Sequence, residues 1–189
     1  SALFAFSGAV TAEKFGSDVA WSRSYSGAES MKVIDLTGDG QDDLFIQSPN
    51  NVTVLDSTGE PIFGFGYDSM KSTLGDVNED SVEDVVVYYV GTGMSVDVIS
   101  KGQPETIAQN LNIGFPSRNA VIRFSSGPQI VLGDSSGSLL ALSTDGQVLW
   151  DTDFGSEEVR GMDDTRIGGE VFGTVATHDG SVAVFDGQG

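Results

Sequence analysis

Acidic side chains at regular spacing mark the stretch DLTGDGQDD, residues 35–43. Carboxylates so close along the chain repel one another, so the stretch is either a solvated acidic turn or a loop that binds a cation. Oxygen donors stand at positions 1, 3, 5 and 9 of the stretch, and position 7 can add a backbone carbonyl. This spacing of oxygens is the one that EF-hand-type loops direct at a hard cation.

A second stretch, DVNEDSVED at residues 76–84, repeats the pattern. We predict that both stretches bind Ca²⁺, which prefers oxygen ligands, and the chain contains no Cys to favour a softer metal. Gly40 allows the sharp bend at position 6, whereas Ser81 takes that place in the second stretch, so we expect weaker binding there. The predicted ligands are Asp35, Thr37, Asp39, Gln41 and Asp43, and Asp76, Asn78, Asp80, Val82 and Asp84, with Gln41 and Val82 contributing backbone carbonyls.

Two apolar phrases recur along the chain with a shared period near 43 residues. The first phrase reads LFIQS, VVVYY, IVLGD and GTVAT, beginning at residues 44, 85, 130 and 173. The second is an apolar strand, a Gly-containing turn and another apolar strand, and its aligned residues are Leu55, Ile99, Leu142 and Phe185. Two independent phrases with one period indicate an internal repeat.

The acidic stretches lie within this repeat, and the residue pattern of the repeat is typical of β-strands. Each repeat holds short segments rich in β-branched and aromatic residues, separated by Gly, Asn, Asp and Ser. Helix-period segments are nearly absent, and 25 glycines suit many tight turns. We predict an all-β fold, a β-propeller of about four blades with four antiparallel strands, A to D, in each. The alternative, a β-sandwich, would not require a shared period.

The blades are predicted to form a single β-propeller domain or propeller fragment over residues 1–189. Its expected parts are a partial blade at 1–25, full blades at 26–66, 67–112 and 113–155, and a partial blade at 156–189. The chain thus starts and ends within a blade, with strand C expected at 2–7, strand D at 19–25, and a last strand C at 181–186. Either the N-terminal strand D completes the last blade, or further blades of the same protein or of a second copy complete the ring.

Trp21 and Trp150 occupy equivalent places in the repeat. We predict that they pack between blades, in preference to forming a platform for a sugar, because equivalent positions in a repeat serve the same packing role.

The charge of the chain excludes several kinds of partner. A formal net charge of −19, from 9 Lys and Arg against 28 Asp and Glu, argues against binding to nucleic acid or to anionic lipid. No apolar run is long enough for a membrane span. The acidity has three explanations: solubility outside the cell, cation binding, and adaptation to high salt in a halophilic or marine organism. Residues 1–10 lack a signal-peptide pattern, so we expect a mature chain or an excised fragment.

The stretch DLTGDGQDDLFI resembles the FG-GAP repeat, the calcium-loop blade of integrin α-subunit propellers and of many microbial surface proteins. GSLLALSTDGQVLW resembles the blade motif of quinoprotein-like (PQQ-type) propellers. The resemblance implies a seven- or eight-bladed ring, with calcium in the first two full blades and a role in cell adhesion. In the third full blade RFSSGPQIV has shortened the loop to a plain turn, and the last blade keeps Asp163 at position 1 but Ile167 at position 5. We expect no ion in these two.

No catalytic constellation is evident in the sequence. His178 is the single histidine, in a predicted turn, where it is expected to be solvated. We therefore favour a non-catalytic, calcium-stabilised module that binds a protein or glycan partner outside the cell or at the cell surface. The alternative is a fragment of a propeller enzyme, either quinoprotein dehydrogenase-like or active on polysaccharides. Cofactor binding in quinoproteins depends on features that this chain lacks, among them a vicinal disulfide.

Overall fold

The computed structural model describes the backbone of residues 2–6, 9–13, 19–25 and 27–189, and the side chains of residues 21–25 and 27–189. In this part of the chain, eighteen strands form five antiparallel sheets. The described residues form no helix that is long and apolar enough to cross a membrane. The all-β prediction is therefore confirmed. The chain divides into two compact units, residues 1–67 and 68–189, and the division of a single domain into blades stays a prediction.

The first unit contains two sheets in which each strand pairs with the next one along the chain. The first sheet has the order β1-β2-β3 and the second has the order β4-β5-β6-β7. The strands are β1 (Ala2–Phe6), β2 (Ala9–Glu13), β3 (Val19–Ser24), β4 (Ser30–Ile34), β5 (Asp43–Ser48), β6 (Asn51–Leu55) and β7 (Pro61–Gly66).

The first sheet corrects the predicted order of the N-terminal strands. Strand C was expected at 2–7, directly beside strand D, but β2 lies between β1 and β3 and pairs with both. Residues 9–13 therefore occupy the place beside β3 that was predicted for strand C. Its sequence AVTAE has little of the bulky apolar content that identifies a strand, and pairing with two neighbours supplies what propensity does not.

The second unit contains three sheets of the same meander type. Their orders are β8-β9-β10-β11 for the third sheet, β12-β13-β14-β15 for the fourth and β16-β17-β18 for the fifth. The strands are β8 (Asp68–Gly75), β9 (Asp84–Val90), β10 (Met94–Ser100), β11 (Gln103–Leu111), β12 (Pro116–Phe124), β13 (Gly127–Asp134), β14 (Ser138–Leu142), β15 (Val148–Asp153), β16 (Val159–Ile167), β17 (Glu170–Thr177) and β18 (Val182–Phe185). For the two full repeats of this unit the sequence pattern predicts strands at 71–76, 84–90, 95–100 and 104–109, and at 119–124, 128–133, 138–143 and 147–152. Strands β8 to β15 agree with these positions to within three residues.

The core of the second unit lies between successive sheets. Tyr88 and Val98 of the third sheet pack with Leu132 and Leu140 of the fourth. Strand β12 also contacts the first strand of each neighbouring sheet, β8 and β16. The approach of β8 to β12 is close, because a Cβ at Gly75 would lie 2.4 Å from the Cβ of Val121. A glycine is therefore required where these two strands meet.

The two tryptophans pack against the following sheet in their own units, as predicted. The Trp21 ring, on β3, lies against Gly59 in the turn before β7, and its Nε1 donates to the Ser57 carbonyl at 3.2 Å. The Trp150 ring, on β15, meets the Phe185 ring of β18 edge-on at 5.5 Å between centroids. Equivalent residues of the repeat thus join the first sheet to the second and the fourth to the fifth.

Candidate metal-binding turns

Both predicted ligand sets lie where the first strand of a sheet turns into the second. Residues 35–43 run from the end of β4 to the first residue of β5, and residues 76–84 run from the end of β8 to the first residue of β9. In each sheet, position 9 pairs with the last residue of the preceding strand and so closes the turn. We name these segments the first acidic turn and the second acidic turn.

Three hydrogen bonds have the same place in both turns. The carboxylate at position 1 accepts from the N–H of position 6, the carboxylate at position 5 accepts from position 7, and the carboxylate at position 9 accepts from position 2. In the first turn these are Gly40 to Asp35 (2.8 Å), Gln41 to Asp39 (2.8 Å) and Leu36 to Asp43 (3.0 Å). In the second they are Ser81 to Asp76 (3.0 Å), Val82 to Asp80 (2.9 Å) and Val77 to Asp84 (2.9 Å). The two turns therefore have the same hydrogen-bonded conformation although their sequences differ.

The backbone of the turns is left-handed at the same two positions. Gly38 and Gly40 have φ angles of +75° and +81° at positions 4 and 6. Glu79 and Ser81 adopt +61° and +67° at the corresponding places. A residue with a Cβ pays about 1–2 kcal/mol for this conformation. The second turn holds the bend despite this cost, so the rest of the turn and its sheet must impose it.

The residues that close the turns are buried acids. Asp43 is 4% exposed and Asp84 is 0% exposed. Burial raises the pKa of the Asp43 carboxyl; the N–H of Leu36 partly opposes this, and the charge of Asp39 adds to it. Asp84 Oδ1 and Thr37 Oγ1 are buried and form no hydrogen bond of normal geometry, although the Thr37 hydroxyl lies near Asp43. A buried oxygen without a partner destabilises the folded state. A hydrogen-bond donor or a bound cation would remove this cost at both atoms, and both belong to predicted ligands.

The carboxylate at position 1 of the first turn is held in its charged form. Partial burial by itself would raise the pKa of Asp35, but N–H groups of Gly40, Gly38 and Thr37 outweigh it and lower the pKa. The Gly38 N–H lies 2.7 Å from Asp35 Oδ1. The turn thus keeps a negative charge at its centre.

The second acidic turn carries cations of its own. Lys101 Nζ lies 2.8 Å from Asp80 Oδ2, and this hydrogen-bonded contact is the main cause that lowers the pKa of Asp80. Arg123 of β12 donates from Nη2 to the Asp76 carbonyl at 3.0 Å and lies 3.2 Å from Asp76 Oδ2. Among the described residues no such ion pair reaches the first turn. Sequence reasoning missed both cations, because no local pattern links them to acids in a distant segment of the chain.

The remaining predicted ligands also lie in the turns. Asn78 Oδ1 accepts from the Asp80 N–H at 3.0 Å, and its Nδ2 donates to Ser100 Oγ at 3.1 Å. Gln41 and Val82 occupy position 7 of their turns. Within the described part of the chain, no three acidic or histidine side chains have the arrangement of a metal site, since the carboxylates of the turns are directed at backbone N–H groups. The turns fit Ca²⁺ in donor chemistry and in their unpartnered oxygens, and calcium stays a prediction.

Other turns of the second unit differ from the acidic pair. Ser125 and Ser126 alone join β12 to β13, as the shortened sequence predicted. Asp163 was interpreted as position 1 of a degenerate loop, and this is wrong: it lies inside β16, paired with Thr174. Gly168 and Gly169 form the turn between β16 and β17, and their positive φ angles suit a two-residue hairpin, which is tighter than the expected loop. The His178 side chain is 62% exposed, with Nδ1 at 3.9 Å from a Glu157 carboxylate oxygen.

Neither a protein-family model nor a curated protein sequence matches the chain. Solved structures do resemble it. BBS1N, crystallised in complex with ARL6DN, superposes with a TM-score of 0.68 at 12% identity, covering 98% of this chain and 60% of that one. BamB from Moraxella catarrhalis gives a TM-score of 0.61 at 18% identity, with 95% and 52% covered. A protein of unknown function from Bacteroides caccae gives 0.55 at 10% identity, with 98% and 72% covered.

These similarities define the class of protein. The chain has an all-β, β-propeller fold, whose antiparallel sheets match the blades of the BBS1N and BamB propellers. BamB is a PQQ-like propeller, so the repeat fold predicted from GSLLALSTDGQVLW is supported, whereas no family match confirms FG-GAP repeats. The chain spans about 60% of the length of the BBS1N structure.

Proposed function

We propose that this chain is a calcium-stabilised β-propeller module that binds a protein or glycan partner outside the cell or at the cell surface, without catalysis. One observation carries the calcium part of the proposal: two turns of different sequence share an oxygen-donor set, a backbone conformation and three hydrogen bonds. Two solvated acidic turns would not have to share one conformation, whereas two turns that bind the same ion would.

The ion would neutralise charge and hold the turn. Carboxylates at positions 1, 5 and 9 of each turn would hold it, with the side-chain oxygen of Thr37 or Asn78 and the carbonyl of Gln41 or Val82. Bound Ca²⁺ supplies positive charge and accepts an all-oxygen set of flexible geometry. Each turn joins neighbouring strands of one sheet, which suits a structural ion.

The two turns should differ in affinity. The first has glycine at both left-handed positions, and no cationic side chain of the described residues pairs with it. The second has Lys101 and Arg123 beside Asp80 and Asp76, and these positive charges oppose a cation. Ca²⁺ is therefore expected to bind the first turn more tightly.

The partner is proposed from the class of fold and from charge. A scaffold of repeated sheets presents its connecting turns to solvent, where recognition residues usually lie. BBS1N, which shares the fold, was crystallised in complex with ARL6DN. The net charge of −19 disfavours nucleic acid and anionic membranes.

Calorimetric titration of the chelated protein with CaCl₂, together with melting curves, tests the calcium part. Extracellular-type sites bind at about 10⁻⁴–10⁻³ M, so millimolar Ca²⁺ should release or absorb heat and raise the melting temperature, and micromolar Ca²⁺ should not. One site adds about 2.7 kcal/mol of stability at a hundredfold excess over its dissociation constant.

Single substitutions measure how much each turn contributes to the calcium-dependent rise in melting temperature. Asp39→Ala should remove most of the calcium-dependent rise in melting temperature, and Asp80→Ala a smaller part. The matched control is Asp42→Asn, which removes an exposed carboxylate of the first turn that is not a predicted ligand. If millimolar Ca²⁺ gives neither heat nor stabilisation, both turns are acidic turns without a metal.

A further inference from the structure

We propose that Asn51 is an acceptor for N-linked glycan. Asn51, Val52 and Thr53 form the one Asn-X-Ser/Thr motif in the 189 residues, with a residue other than Pro in the middle. This inference rests on the proposed location outside the cell, and it is independent of calcium and of partner binding.

The motif lies at the start of a strand, with Asn51 exposed to solvent and Thr53 on the same face. Asn51 is the first residue of β6, directly after the turn at Pro49 and Asn50. Successive strand residues point to opposite faces: Asn51 is exposed, Val52 is buried and Thr53 is half-buried. Burial of Val52 therefore fixes which face of the strand carries the motif.

Of the two strands beside β6, strand β7 places no side chain next to the motif. Asn51 pairs with Gly66 of β7, and Thr53 pairs with Gly64. Side chains opposite one another in a sheet cover each other's faces, and glycine has none. A Cβ at Gly66 would meet one atom beyond its chain neighbours within 4 Å, the Asn50 carbonyl oxygen at 3.8 Å. On the other side, Ser48 and the buried Ile46 of β5 pair with Asn51 and Thr53, so the side of Asn51 that a glycan can use is the one toward β7.

The hydrogen bonds of the motif leave the reactive nitrogen available. Thr53 Oγ1 donates to Asn51 Oδ1 at 2.5 Å. Among the described residues no hydrogen bond to Asn51 Nδ2 is formed. An open groove of about 540 Å³ adjoins the side chain, lined by the half-buried ring of Tyr25 and by Pro49. The first sugar would occupy this groove.

The reaction needs a lipid-linked donor and the transferase of the secreting cell. Asn51 Nδ2 forms a bond to C1 of the first sugar of an oligosaccharide carried on a polyprenyl diphosphate. The bond from that C1 to the phosphate oxygen breaks, and the lipid diphosphate leaves with the electron pair. The amide loses one proton, and no oxidation or reduction occurs.

Secretion of the full chain from a eukaryotic host, followed by intact-mass and peptide mass spectrometry, tests the inference. We expect a glycan on the peptide that contains Asn51, removed by peptide N-glycosidase with conversion of Asn51 to Asp. Asn51→Gln and Thr53→Ala should abolish it. Thr53→Ser should retain it, and Asn50→Gln, which changes the adjacent amide, should not affect it.

A positive control separates an unsuitable site from an unsuitable host. Asp179→Asn places a second acceptor motif in the exposed turn between β17 and β18, where Asp179 Oδ1 accepts from Thr177 Oγ1 and the Ser181 N–H. An Asn side chain can accept both bonds. Glycan in that turn together with an unmodified Asn51 would overturn the inference, while leaving the calcium proposal untouched.

Discussion

Asp43 shows how one residue of the first acidic turn can oppose folding in the absence of a cation. Its carboxylate is buried, and burial raises its pKa. A carboxyl group whose pKa is raised in the folded state adds stability below its unfolded pKa, near 3.8. That contribution is lost as pH rises through the folded pKa. At neutral pH, therefore, the charged Asp43 lowers the free energy of unfolding until a cation compensates it.

Asp43→Asn should consequently have opposite effects with and without calcium. In chelator at pH 7 we expect a melting temperature equal to or above that of the natural protein, because the Asn oxygen can still accept from the Leu36 N–H. In millimolar Ca²⁺ we expect a lower melting temperature, because one carboxylate ligand is lost. Differential scanning calorimetry under both conditions measures the crossover, with Asp42→Asn as the control. A variant that is destabilised equally in both would contradict this account of Asp43.

At the scale of the element, each sheet of the second unit depends on its neighbours for burial. Strands β9 and β13 are buried over most of their length because they lie between packed faces. The fourth and fifth sheets are further joined at their outer strands by Trp150. Its ring contacts Phe185, and its Nε1 donates to Gln129 Oε1 at 3.1 Å. Gln129 in turn donates to the Gly187 carbonyl at 3.0 Å.

Trp150→Ala should therefore lower the free energy of unfolding by about 3 kcal/mol, the lower end of the range for deleting a large aromatic side chain from a core, since the ring is half-buried. Trp150→Phe should cost less, because it keeps an aromatic contact with Phe185 and loses the indole hydrogen bond. Urea unfolding in chelator measures both. A loss below 1 kcal/mol for the alanine variant would show that this ring does not hold the two sheets together.

At the scale of the whole molecule, the dominant property is charge. The 28 acidic residues far outnumber the 9 basic ones, so uncompensated negative charges repel one another in the folded chain. The Debye length falls from about 10 Å at 0.1 M salt to about 3 Å at 1 M, so concentrated salt screens most of this repulsion. Adaptation to brine predicts a larger response of stability to that change than solubility outside the cell or cation binding does.

If the acidity reflects a saline habitat, the melting temperature in chelator should rise by about 5 °C or more between dilute buffer and molar KCl. A rise of this size corresponds to roughly 1–3 kcal/mol for a chain of this length. Melting curves over a KCl series measure it, and sorbitol at matched osmolality controls for general co-solvent effects. A flat response would leave extracellular solubility and calcium binding as the reasons for the charge.

The sequence alone determined the features that depend on neighbours along the chain. Strands of the full repeats were predictable because β-branched and aromatic segments alternate with Gly-rich turns. The acidic turns were predictable because all their ligand positions lie within nine residues. Hydrogen bonds inside such a turn, as from Gly40 to Asp35, need no distant partner. The inter-sheet role of Trp21 and Trp150 was predictable because the two residues occupy equivalent positions of the repeat, and equivalent positions have the same packing role.

Only the tertiary structure decided the features that depend on distant segments. Strand β2 forms because two other strands pair with it, although its own sequence is weakly strand-like. Asp163 lies in β16 because pairing with β17 extends that strand past the expected loop. Lys101 and Arg123 pair with Asp80 and Asp76 of the second acidic turn because the fold brings distant segments of the chain to it. Local patterns describe the chemistry that a segment offers, but the charges and pairings that surround it are set by chain segments that meet only on folding.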